Sequence, residues 1–171
     1  MTEGRKSGVA LLVGAGDAIG AAVARRFAAG GYPVCVARRS AEKSQSLVQE
    51  IVSSGGVAHA VSTDVRNEEA VQALFAHVEA ELGSVEVCLF NAGANVKSPL
   101  IDTSARLFFK AWELACYAGL LTGREAARYM VYCRRRESGC VYQTRSPQGA
   151  HESQHQLSIW LTRPVHWPRR R

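Results

Sequence analysis

Four short apolar runs, each followed by a segment with helical periodicity, fill the first 132 residues and constrain the fold more than any other feature of the chain. Gly8–Val13 (GVALLV) reads as a buried strand; Ile19, Val23 and Phe27 follow at helical spacing, and Gly30-Gly31 stops that helix. Pro33–Ala37 (PVCVA) reads as a second strand. Ser40 is placed to cap the next helix, whose apolar face is Leu47, Val48, Ile51 and Val52 before Gly55-Gly56. Val57–Ser62 is a third strand, and Asn67 caps a helix with Glu68 and Glu69 at its positive end and Val71, Leu74, Phe75, Val78 and Leu82 on its core face. Val85–Phe90 (VEVCLF) is a fourth strand. A long helix is expected from about Ser104 to Met130, with Leu107, Phe108, Ala111, Trp112 and Ala115 at helical spacing. Such alternation with short links implies an α/β, doubly wound parallel sheet with helices on both faces, and near-continuous apolar strands agree, because they are buried on both sides.

The first strand runs into Gly14-Ala15-Gly16-Asp17-Ala18-Ile19-Gly20, which opens the first helix. Small residues let the backbone turn sharply and approach a pyrophosphate, and the helix start offers N–H groups and a positive dipole end. The strict G-x-G-x-x-G is not met, since Ile19 holds its last position. A tight strand-to-helix turn without a ligand is the plain alternative; the strand before and the helix after favour the nucleotide. The second strand ends in Ala37-Arg38-Arg39, where NAD sites usually carry an acid for the ribose 2′-OH. Guanidiniums suit a 2′-phosphate by charge and by forked geometry, so NADP is favoured over NAD. Taken alone, the pair also reads as a solvated basic strand end.

Charge divides the chain in two. Of 21 Lys+Arg and 15 Asp+Glu, residues 1–132 hold 13 of each, so the net +6 lies wholly in residues 133–171, which carry eight Arg, no Lys, Glu137 and Glu152. With 47% hydrophobic and 21% charged residues, wholesale disorder and a disulfide scaffold are excluded. No secretory signal or membrane-length apolar run is read in the sequence. The five cysteines form no C-x-x-C pair, and Cys35 and Cys88 lie inside apolar runs as small hydrophobes, which fits a reducing, cytoplasmic setting.

At this point the residues resemble the short-chain dehydrogenase/reductase family. The 14–20 turn is similar to its T-G-x-x-x-G-x-G, with Val13 for Thr and Ala18 for the middle Gly; Asp64-Val65 matches its adenine-contacting Asp-Val; Asn91-Ala92-Gly93 matches its Asn-Ala-Gly beside the cofactor. The long helix, with Trp112 and Arg124-Glu125-Ala126-Ala127, is also family-like, and the resemblance covers about residues 8–132. It implies a Rossmann fold and NADP-dependent hydride transfer at an alcohol or carbonyl carbon. It also implies a homo-oligomer packed through the helix at 104–130, with Leu107, Phe108 and Trp112 toward a partner. The family's chemistry needs a Tyr acid/base, a Lys that lowers its pKa, and a substrate-orienting Ser.

The catalytic end departs from that pattern. No Tyr-x-x-x-Lys occurs: Tyr142 is followed four residues on by Ser146, and no Lys follows Lys110. Gly139–Gly149 loosely resembles the segment carrying the catalytic Ser, which places that role on Ser146; Ile159 then stands where the Tyr is expected, Arg163 lies four further on, and Cys116 stands at the helix Asn position. The chain is thus expected to be a truncated, catalytically impaired fold, or a non-catalytic nucleotide-binding or regulatory short isoform that pairs with a full-length subunit. Residues 1–132 form the expected Rossmann domain, and residues 133–171 an irregular or disordered basic tail with one strand at 139–144. The tail admits a frameshifted or alternative end, since Arg145–Gly149 read one nucleotide on can encode Ala-Ala-Leu-Arg-Gly. It also admits an arm for nucleic acid, with Arg clusters beside Trp160 and Trp167, although a solvated tail is favoured. His151-Glu152-Ser153-Gln154-His155 spells H-E-x-x-H but lacks the apolar helix that holds such zinc sites, so no metal is expected.

Overall fold

The computed structural model of the chain describes residues 7–16, 18–93, 97–132, 140–144 and 158–162. The strands are β1 (Val9–Val13), β2 (Val34–Arg38), β3 (Ala58–Ser62), β4 (Val85–Phe90), β5 (Cys140–Thr144) and β6 (Ser158–Thr162). They form one sheet in the order β3-β2-β1-β4-β6-β5. The first four are parallel, with Leu11 of β1 level with Cys35 on one side and Cys88 on the other. β6 runs antiparallel to β4, and β5 antiparallel to β6. β5 lies inside the segment read as a strand. β6 was not anticipated in the 133–171 segment, although its Ile159-Trp160-Leu161 core is a β-prone run.

Both faces of the parallel strands are covered. Val9, Leu11 and Val13 of β1 face a core shared with α3 (Glu68–His77) and α5 (Ala118–Ala127). Ala10 and Leu12 face a second core with α1 (Ile19–Ala29) and α2 (Gln45–Ser53). This is the doubly wound arrangement, and it explains why the strands lack polar alternation. Cys35 and Cys88 are buried in it as expected, and burial pushes both thiols up to about 12.

Several local expectations are met and others corrected. Asn67 caps α3, its Oδ1 accepting from the Ala70 N–H at 2.8 Å, with Glu68 and Glu69 in the first turn. Ser40 caps no helix. Its hydroxyl donates to Glu42 at 2.6 Å, a 3₁₀ turn (Ala41–Ser44) intervenes, and α2 starts only at Gln45. In α1, Val23 and Phe27 pack against the second core at its edge, and the closest contact is made by small residues. Gly20, Ala21 and Ala24 are the buried residues, while Ile19 is 54% exposed and Val23 and Phe27 are half-buried. Small residues let the helix lie close to the sheet, so its bulky residues flank the contact and Ile19 stays free to line a cleft.

The long helix runs from Ala105 to Tyr132 as α4 (Ala105–Trp112) and α5, joined and ended by the wider π turns Glu113–Tyr117 and Arg128–Tyr132. Ser104 caps it, accepting from the Leu107 N–H at 3.2 Å. Only the α5 half packs as core: Ala118, Leu121 and Ala126 are buried, whereas Phe108 is 59% and Trp112 45% exposed. No residue of α4 is buried. Arg124 pairs with Glu68 and so ties α5 to the start of α3. The buried Glu125 accepts from Arg128 at 2.6 Å.

Candidate functional site

Parallel strands all point the same way, so the turns at their C-terminal ends gather along one edge of the sheet. A cleft of about 620 Å³ opens there. Its walls are Gly14, Ala15, Gly16, Ala18 and Ile19 after β1; Arg38, Arg39, Ser40 and Lys43 at and after β2; Thr63 and Val65 after β3; Asn91, Ala92 and Gly93 after β4; and Leu114 from the long helix.

The turn after β1 is shaped by glycine. Gly14 has φ 78°, and a Cβ there would stand 2.5 Å from the Ala92 backbone nitrogen. Gly20, beneath the turn, would place a Cβ 2.4 Å from the Ala15 Cα, so the helix start and the turn are in backbone contact. A Cβ on Gly16 would meet nothing within 4 Å, because that position faces open space. At the start of α1 the Ala21 N–H donates to the Gly16 carbonyl at 3.0 Å and the Ala22 N–H to Ala18 at 3.1 Å, and no acidic residue occupies the first turn.

Most of the residues singled out in the sequence converge here. Gly14, Gly16, Ala18, Ile19, Arg38, Arg39, Val65, Asn91, Ala92 and Gly93 line the cleft; Gly20 supports it from below. Asn91 is buried and its N–H donates to the Val13 carbonyl at 2.8 Å, which fixes the turn after β4 against β1. Cys116 is exposed and not among the walls. Asp17, Ser146 and the His151–His155 motif lie outside the described residues. No group of potential metal ligands occurs among the described residues, and no helix among them is long and apolar enough to cross a membrane. The sequence reading missed Lys43. Its signal was its place five residues after Arg38, on the turn that brings α2 back over the strand end.

Asp64 stands beside the cleft, between two wall residues, rather than in its wall. Its Oδ1 accepts from the Arg66 Nε at 2.9 Å and from the Arg66 N–H at 3.1 Å, and its Oδ2 from Nη2 at 2.6 Å. These bonds, with a further contribution from the Arg39 charge, hold the carboxyl down at about 2 from an ordinary 3.8. A depressed folded-state value means stabilisation that is complete above pH 3.8 and lost as pH falls through about 2. With the Asp64 side chain 39% exposed, solvent screening limits its worth to under about 1 kcal/mol. A carboxyl ¹³C titration should show Asp64 with a midpoint near 2, moving toward 3.8 in Arg66→Ala; a midpoint near 3.8 in the unchanged chain contradicts the pairing.

The family profile described as short chain dehydrogenase matches residues 8–158. A short chain dehydrogenase of Pseudocercospora fijiensis is 34% identical over 135 residues, 77% of this chain and 42% of the relative. The 3beta-hydroxysteroid dehydrogenase 1 of Eggerthella lenta is 36% identical over 114 residues, 66% of this chain and 42% of that protein. The crystal structure of a short-chain dehydrogenase from Rhodopseudomonas palustris superposes with a TM-score of 0.71 at 44% identity, covering 75% of this chain and 60% of the other. The chain thus spans less than half the length of those two curated relatives. A family-wide profile match, a shared fold and a glycine-shaped cleft at the expected sheet edge agree: the chain belongs to the short chain dehydrogenase family.

Proposed function

We propose that this chain binds NADP in the cleft and belongs to an oxidoreductase acting on an alcohol or carbonyl compound. The observation that carries the cofactor choice is the cleft's charge: Arg38, Arg39 and Lys43 stand in its wall, and no carboxylate does among the described residues. A ribose 2′-phosphate is compatible with three cations; an NAD site would place an acceptor for the 2′-OH at that strand end. The turn at 14–20, in which Asp17 is included on resemblance, would receive the pyrophosphate, with the open face of Gly16 toward it. Asp64 and Val65 would flank the adenine, and Asn91, Ala92 and Gly93 would floor the dinucleotide. When bound, the nicotinamide supplies the hydride-transferring carbon. Leu114 and Val65 contribute apolar wall to the same cleft.

The reading includes impaired turnover. Proton transfer to or from the reacting oxygen requires a positioned acid/base, and these 171 residues contain no Tyr-x-x-x-Lys. Ser146 alone would orient a carbonyl without moving a proton. The reading also includes a second copy of the chain on the exposed face of α4, where Phe108, Phe109 and Trp112 lie open to solvent.

Fluorescence titration with NADPH and NADH tests this. NADPH is expected to bind at least about tenfold tighter, and Arg38→Asp to erase or reverse that preference, since a charged hydrogen bond to phosphate is worth about 1.5–3 kcal/mol. Equal affinity for the two dinucleotides overturns the NADP assignment. Tight NADPH binding together with measurable carbonyl reduction overturns the impaired-turnover part.

A further inference from the structure

We infer that Glu42 is a specificity-determining residue that works against NADP, because Ser40 holds its carboxylate beside the cations of the cleft wall. The inference rests on the NADP reading above and names the group that limits the preference.

Arg39, Ser40 and Lys43 line the same wall. The Ser40 hydroxyl donates to the Glu42 Oε2 at 2.6 Å, so a carboxylate oxygen lies one hydrogen bond from the wall without forming part of it. The local backbone sets up this bond. Ser40 is extended, with φ −125° and ψ 99°, and the chain then winds at once into the 3₁₀ turn Ala41–Ser44. Glu42 therefore lies in a first turn, where N–H groups without helical partners favour an anion. The Ser40 hydroxyl, and after it the Glu42 N–H, hold the Glu42 carboxyl below the usual carboxylate range, so it is charged at neutral pH. Among the described residues no cation forms an ion pair with it.

This arrangement treats the two dinucleotides differently. A ribose 2′-phosphate would meet Arg38, Arg39 and Lys43, but also one held anion, which subtracts from their attraction. A serine hydroxyl has one proton to donate, and that of Ser40 is committed to a carboxylate. Its oxygen is left as an acceptor, which suits a ribose 2′-OH and not a phosphate. The charge at position 42 thus costs NADPH and not NADH.

The test is fluorescence titration of the whole chain with NADPH and with NADH, for the unchanged protein, Glu42→Gln and Glu42→Lys. Glu42→Gln should tighten NADPH about threefold at low salt, the effect of one exposed charge near a phosphate dianion, while NADH stays within about twofold. Glu42→Lys should tighten NADPH about tenfold, since it replaces repulsion by attraction. Both gains should shrink at about 0.5 M salt, which a packing effect would not do. Position 42 is exposed, so both variants should fold as the unchanged chain does. NADPH affinity that is unchanged or weakened in either variant overturns the inference, as do equal gains for both dinucleotides. Equal affinities in the unchanged protein that become an NADPH preference in Glu42→Gln overturn the NADP assignment and leave this inference standing. Failure of the unchanged protein to bind either dinucleotide overturns both.

Discussion

Gly14→Val is expected to destabilise the fold by more than about 3 kcal/mol, which for a domain of this size corresponds to a fall in Tm of about 10 °C. Two independent costs add. The position has φ 78°, a region that β-branched residues avoid at a cost of about 1–2 kcal/mol or more. The new Cβ would also sit 2.5 Å from the Ala92 nitrogen and 2.6 Å from its Cα, and these are backbone atoms of a turn bonded to β1. Gly16→Ala is the comparison. Its Cβ meets no protein atom within 4 Å, so Tm should hold while NADPH binding weakens, because the added methyl enters the cleft. Thermal melts and NADPH titration of both variants separate fold from site. A Gly14→Val protein that melts with the unchanged chain would show that this turn relaxes freely.

Phe75→Ala should cost about 3–5 kcal/mol, the range for removing a fully buried aromatic ring from a core that cannot collapse. Phe75 lies on α3 against the sheet face that carries Leu11 and Phe90, and its ring stacks on Tyr129 with centroids 5.8 Å apart and planes 15° off parallel. Three elements thus frame the space it would leave. Urea unfolding should show a lower midpoint with an unchanged m-value. Val52→Ala, at an exposed position of α2, should stay within about 0.5 kcal/mol of the parent. Similar losses for the two variants would contradict the packing described.

The parallel sheet and the cleft were legible because both depend on local signals. Val9–Val13 is wholly apolar and Val85–Phe90 is apolar but for Glu86, as strands buried on both faces must nearly be. The Gly14 turn is legible because its backbone has few alternatives. The errors arose where tertiary packing overrides periodicity. Of Ile19, Val23 and Phe27, the last two pack at the edge of the second core while Ile19 is exposed, and Gly20, Ala21 and Ala24 make the fully buried contact, a choice that depends on how near the sheet lies. Ser40 has the right chemistry for a cap, but Glu42 lies two residues away and takes its hydroxyl. The Asp64–Arg66 clamp joins residues two apart in sequence, so its components were visible, whereas its link to Glu113 requires the folded chain.

Three of the turns that floor the cleft are extensions of the ladder. The Gly14 N–H donates to Ala37 at 2.8 Å, the Thr63 N–H to Arg38 at 3.0 Å, and the Asn91 N–H to Val13 at 2.8 Å. Each bond carries the pairing of neighbouring strands one residue beyond the strand end. These amides are consequently shielded from exchange with solvent until the sheet opens, and the floor shares the slow opening of the core rather than the rapid motion usual for loops. A ligand arriving there meets a surface already ordered, so its binding free energy is not diminished by the entropy of organising those turns.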